Sequence, residues 1–136
     1  MRKALLFILF AFLQVPVFGQ AKFVFEQTKI DLGNIEASKN LYKIEVKFKN
    51  EGDEPLTIDK VISSFPERTL LEKTTEIKYP QTPIAPGQNG VITIYTIFYY
   101  YESGIHKKSV TVHSSGLNKM SRIYIDFNVI PLPEIQ

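Results

Sequence analysis

Two histidines, His106 and His113, are the only imidazoles in this 136-residue chain, so acid–base chemistry near neutral pH would start with them. They stand seven apart on one predicted strand, and the two-residue period of a strand sends them to opposite faces. They therefore cannot share a metal, and no ligand set with zinc spacing accompanies them. His113-Ser114-Ser115-Gly116 puts a serine beside a histidine. A hydrolase needs that base within hydrogen-bond reach of the nucleophile, oriented by an acid and facing oxyanion donors. Adjacent residues at a strand end splay apart, and no Gly-x-Ser-x-Gly elbow is present. Asp53, Glu54 and Glu72 fall in turn or loop settings without the facing partner that glycoside hydrolysis requires. Glycine-rich phosphate loops are absent. The reading is a non-enzyme, with no catalytic residue, metal site or cofactor assigned.

Recognition chemistry has a better candidate in Ile97-Phe98-Tyr99-Tyr100-Tyr101-Glu102-Ser103-Gly104. Four aromatics occupy a place that would ordinarily be a polar strand end and loop. Along the preceding strand, Ile92, Ile94 and Thr96 take the inward phase, leaving Val91, Thr93, Tyr95 and Ile97 outward. Tyrosine joins a large contact area to a polar tip, which suits protein interfaces and sugar stacking. Phe98, Tyr99, Tyr100, Tyr101 and Tyr95 are the candidate interaction surface. Three uses of the run stand open: rings closing the end of the fold or lying flat on its sheet, a contact for another protein, or a glycan platform.

The elements that must hold these residues are strands. Tyr42, Ile44, Val46 and Phe48 alternate with Lys43, Glu45, Lys47 and Lys49, the two-residue period of a sheet with one dry and one wet face. Ile123, Ile125, Phe127 and Val129 alternate with Tyr124, Asp126 and Asn128 in the same way. Phe23–Glu26 and Ile30–Leu32 flank a kink at Gln27-Thr28. Further strands are expected over Leu56–Ile62, within Thr69–Tyr79 (where Leu70-Leu71 and Glu72-Lys73 blur the phase), over Val91–Phe98 and over Lys107–His113. Turn chemistry separates them, notably Asn50-Glu51-Gly52-Asp53-Glu54-Pro55 and Pro83-Ile84-Ala85-Pro86-Gly87-Gln88. Short strands punctuated this way predict an all-β, immunoglobulin-like antiparallel sandwich of about seven strands.

Residues 1–19 read as a signal peptide: basic Arg2 and Lys3, an apolar run from Ala4 to Leu13, and a small residue, Gly19, before the cut. Ala21 is the alternative cleavage position. The apolar run is short of the ~20 residues a membrane-spanning helix needs. Removing Arg2 and Lys3 brings the basic residues from 16 to 14 against 14 acids, leaving no net charge and no electrostatic reason to expect nucleic acid or an anionic membrane. There is no cysteine, which rules out disulfides, thiolate metal sites and a lipidated-cysteine anchor. Residues 20–130 form the expected domain. Residues 131–136, with Pro131 and Pro133, cannot extend a central strand and are expected to fray.

The landmarks Asp31-Leu32-Gly33-Asn34-Ile35, Phe48-Lys49-Asn50-Glu51-Gly52 with Pro55-Leu56-Thr57-Ile58, the Pro83–Gln88 turn with Gly90, and Ser109-Val110-Thr111-Val112 with Ser114 run in a recognisable order. In this order the chain resembles the bacterial exported family known as domain of unknown function 1573. That Ig-like group is related in architecture to the ASPM–SPD-2–Hydin and major-sperm-protein-like sandwiches. Backbone geometry accounts for the landmarks: Gly52 and Gly87 are expected at positive φ, Pro55 and Pro86 pre-set φ, and the Asn50 side chain bonds backbone to stop its strand. The resemblance breaks at Ser63–Thr69. Many family members carry Cys-Gly-Cys there, whereas this chain has Phe65 and Glu67 at the cysteine places. No thiol role transfers.

The reading is an exported, periplasmic or secreted module that binds another envelope or extracellular protein, with edge-strand addition as one route. A carbohydrate-binding accessory module using the same tyrosines is the alternative. The apolar outward face of the Val91–Phe98 strand also allows a weak homodimer.

Overall fold

The computed structural model describes residues 19–133; the expected signal peptide, apart from Gly19, and the last residues of the tail lie outside that range. The described residues form eight strands: β1 (Phe23–Phe25), β2 (Lys29–Glu36), β3 (Tyr42–Asn50), β4 (Ile58–Ser63), β5 (Thr75–Lys78), β6 (Asn89–Thr96), β7 (Gly104–Ser114) and β8 (Met120–Ile130). They make two four-stranded sheets, ordered β1-β3-β6-β5 and β2-β8-β7-β4. All pairings are antiparallel except β2 with β8. The count exceeds the expected seven because the first strand divides at the Gln27–Thr28 kink. Its first part pairs with β3 in one sheet, and its second part crosses to pair with β8 in the other.

The dry faces meet as the alternation requires. Ile44, Val46 and Phe48 of β3, Ile92 and Ile94 of β6, Val110 and Val112 of β7, and Ile123, Ile125, Phe127 and Val129 of β8 are all buried. Each such side chain taken out of water contributes about 1.5–3 kcal/mol before conformational entropy is subtracted. Tyr42 keeps the phase of β3, its ring edge-on to that of buried Phe98 with centroids 5.6 Å apart, but at the mouth of the strand it stays exposed. One phase differs from expectation. Ile97 is buried rather than outward, because the chain has left the strand by then and its N–H donates to the carbonyl of Thr74.

Turn residues hold the far end. The buried Asn50 amide donates to the carbonyls of Glu54 (2.8 Å) and Ile84 (3.0 Å), while its Oδ1 accepts from the N–H groups of Lys22 (3.1 Å) and Gly52 (3.0 Å). One side chain thus ties the N-terminal segment, the β3–β4 turn and the β5–β6 turn together. Gly87 has the expected positive φ of 78°, but Gly52 does not. Gly52 is needed for close approach instead, since a Cβ there would lie 1.9 Å from the carbonyl oxygen of Gln20.

Candidate functional site

Three connections gather at the opposite end of the sandwich: residues 37–41 between β2 and β3, residues 64–74 between β4 and β5, and residues 97–103 between β6 and β7. The aromatic run lies in the third, and a turn sorts it. The N–H of Tyr101 donates to the carbonyl of Phe98 (3.2 Å), so the two corner residues point inward and the two central ones, Tyr99 and Tyr100, point to water. Phe98 is 2% exposed and meets Phe127 edge-on at 4.9 Å. It belongs to the core, not to an outer surface. Tyr101 packs against Phe127 and His106, with centroids 5.4 Å and 5.1 Å away. Its hydroxyl is buried, with no hydrogen-bond partner among the described residues, and burial pushes this phenol up.

Tyr99 and Tyr100 stand edge to face, centroids 5.1 Å apart. The Lys39 ammonium sits over both rings, at 4.8 Å and 5.8 Å, and also pairs with Glu72 at 3.4 Å. Glu72 in turn accepts the hydroxyl hydrogen of Tyr100. That bond, followed by Lys39, holds the Glu72 carboxyl below its ordinary value; the same carboxylate raises the pKa of both Tyr100 and Lys39. Four side chains from three loops are thereby linked, all at the surface.

Beside this cluster the 64–74 connection makes a small hairpin. Arg68 bridges to Lys73, and the Thr69 hydroxyl accepts from the N–H groups of Leu71 and Glu72 (3.2 Å each). Leu70 and Leu71 are left at the tip, 103% and 87% exposed. They are the two most exposed large apolar side chains among the described residues. Leu41, 67% exposed, stands in the neighbouring loop. Lys39, Leu41, Leu70, Leu71 and Glu72 were not assigned from the sequence. The Leu-Leu pair did leave a signal there, as the break in alternation within Thr69–Tyr79.

Tyr95 lies apart on the outer face of β6, half-buried between its register partners Lys43 and Glu76, with the Lys78 ammonium 5.6 Å from its ring centre. With Leu41, Thr74 and Glu76 it lines a shallow hollow of about 240 Å³. The outward stripe Val91, Thr93 and Tyr95 is one strand wide, bordered by Lys43, Glu45 and Lys47 on one side and Glu76 and Lys78 on the other.

At the broken family motif, Phe65 is buried and stacks on Phe127 at 6.0 Å, while Ser64 exchanges hydrogen bonds with Ser109. Apolar packing and main-chain pairing thus hold the segment. His106 turns inward to stack on Phe127 and His113 turns outward. Among the described residues no cluster of His, Asp and Glu gathers as for a metal ion. Ser114 and Ser115 accept hydrogen bonds from the backbone N–H groups of Gly116 and Thr57, a turn role.

Residues 23–129 match a family described as "Protein of unknown function (DUF1573)". No curated protein matches. Among solved structures, a protein of unknown function from Porphyromonas gingivalis W83 superposes with TM-score 0.64 at 15% identity, over 86% of this chain and 50% of that one. The ASH/PapD-like domain 7 of human CEP192 gives 0.61 at 11% identity, over 88% and 94%. The periplasmic chaperone SfaE gives 0.53 at 10%, over 82% and 60%. This chain therefore spans half the length of the Porphyromonas protein. At these identities the likeness is one of fold, an Ig-like sandwich.

Proposed function

The chain belongs to the DUF1573 family, and from that premise we propose that it is an exported, non-catalytic module that binds another protein through the loop end of its sandwich. The observation that carries this reading is the Leu70-Leu71 tip, exposed beside Tyr99 and Tyr100. Apolar anchors next to aromatics with polar tips are the composition of an interface centre. Lys39, Glu72 and Tyr100 hold the loops in place, which lowers the ordering cost of association. A fold shared with a periplasmic chaperone supports an envelope setting and a protein partner by analogy alone.

The carbohydrate reading gains nothing from the geometry. A sugar platform needs an open ring face, and Lys39 covers one face of Tyr99 and of Tyr100, whose rings stand perpendicular to each other.

Proximity labelling in the native envelope, quantified by mass spectrometry, tests the proposal. Leu70→Ser with Leu71→Ser, and separately Tyr99→Ser with Tyr100→Ser, should each reduce enrichment of the same partner at least tenfold at unchanged melting temperature. Enrichment equal to the parent's in both variants would remove the loop end from the interface.

A further inference from the structure

The sheet that contains β3 is incomplete along half of that strand. β1 covers only Phe48 to Asn50, and Glu26 donates one last hydrogen bond to the carbonyl of Lys47 before the chain crosses to the other sheet. Glu51 and Lys47 bond towards β1, whereas Asn50 bonds towards the β5–β6 turn on the β6 side, which fixes the alternation along the strand. By that alternation the N–H and C=O groups of Lys43 and Glu45 face away from β6 towards the open edge, beyond the reach of β1, which pairs only with Phe48 to Asn50. Below this edge runs a groove of about 280 Å³. Ile30 of β2, Ile123 of β8 and Val46 line its floor, with Glu26, Gln27 and Glu45 at its rim.

We propose that this slot receives an extended segment of a partner protein, which adds to β3 as one further strand in line with β1. Three observations select that occupant. Unpaired main-chain donors and acceptors at strand spacing are matched in full only by another extended backbone. Ile30 and Ile123 floor the place beside β3, so β2 fills the layer that a second sandwich would need beneath its own strand. A second copy of the chain entering by β3 is therefore shut out, while a lone strand fits. The outward side chains next to the slot are Lys43, Glu45 and Lys47, so the segment carries charges of the opposite order on its outer face and apolar residues towards Ile30 and Ile123. About six residues span the distance from Tyr42 to Lys47. The inference rests on the chain being a protein-binding module, but not on the loop end being its surface.

Hydrogen exchange followed by NMR tests it. In the free protein, the amides of Lys43 and Glu45 should exchange at least a hundredfold faster than those of Ile44 and Val46; equal protection would mean the edge is already closed and would overturn the proposal. A capped seven-residue peptide alternating valine with lysine and glutamate should then slow exchange at Lys43 and Glu45 and leave the Tyr99 and Tyr100 amides unchanged. Glu45→Pro removes one edge donor at a position where proline is tolerated, and should weaken the peptide at least tenfold. Ile30→Trp, which fills the groove without touching the backbone, should do the same and serves if the proline variant fails to fold. Peptide shifts centred on β4, β5 or the loops, no response at millimolar peptide, or a dimer joined through β3 would each sink the proposal.

Discussion

Asn50 shows how much one residue can settle. Its side chain stops β3, as the turn sequence leads one to expect, but it also bonds to Lys22 and Ile84, 28 and 34 residues away in the chain. The local role was legible because Asn before a Glu-Gly turn is ordinary strand-ending chemistry. The distant bonds were not, since nothing in the residue type says which carbonyls the fold will bring to it. Asn50→Ala leaves buried donors and acceptors without partners and should cost about 3 kcal/mol. Urea denaturation reads this as a lowered midpoint with an unchanged slope. Asn50→Asp keeps both accepting contacts but loses the donated ones and buries a charge, so it should be at least as damaging. Recovery of full stability in the aspartate variant would show that the donated bonds contribute little. Gly52 gives the complementary lesson. A turn glycine could be recognised from sequence, but its reason, contact with the Gln20 carbonyl rather than positive φ, depends on a segment 32 residues earlier.

At the scale of elements, the strands with one dry face were readable wherever alternation was strict. β3 and β8 follow it almost throughout, and both lie where a buried face must oppose a solvated one. The hairpin before β5 was not readable, because Leu70-Leu71 has no inward phase to obey; both residues sit at a turn tip. The aromatic run was half legible. Four rings in a loop called for a role, and the Phe98–Tyr101 turn assigned two inward and two outward, a division that periodicity cannot give once the strand has ended. The segment before β1 bears on processing. The Gln20 carbonyl accepts from Asp53, the Ala21 carbonyl accepts from Leu117, and Ala21 is buried. A cut after Ala21 would remove both contacts, so a chain processed at this segment should begin at Gln20 or earlier. N-terminal sequencing of protein recovered from the cell envelope checks this; a start at Lys22 would contradict it, and an uncut leader would contradict the signal-peptide assignment itself.

For the whole molecule, the absence of cysteine leaves stability to burial and main-chain pairing, and the surface ion pairs add little to either. Lys39 with Glu72 and Lys43 with Glu45 lie open to water, where ionic screening is strong, and Lys29 reaches the half-buried Asp126 from the solvent side. Tyr101 is different, because burial raises its pKa from the ordinary 10.0 and its hydroxyl has no partner among the described residues. The folded state holds this phenol neutral, whereas the unfolded chain ionises it once pH passes about 10. Its contribution is therefore complete below pH 10 and declines as pH rises from there towards the raised folded value. Thermal melts from pH 7 to 11 should show a flat region followed by an alkaline loss. Tyr101→Phe removes the ionising group and keeps the ring contacts with Phe127 and His106. It should lessen the alkaline loss and, by deleting an unsatisfied buried hydroxyl, raise stability at pH 7 by about 1 kcal/mol. A variant less stable than the parent at pH 7 would mean that the hydroxyl has a partner in solution, and an unchanged alkaline limb would place the titrating group elsewhere.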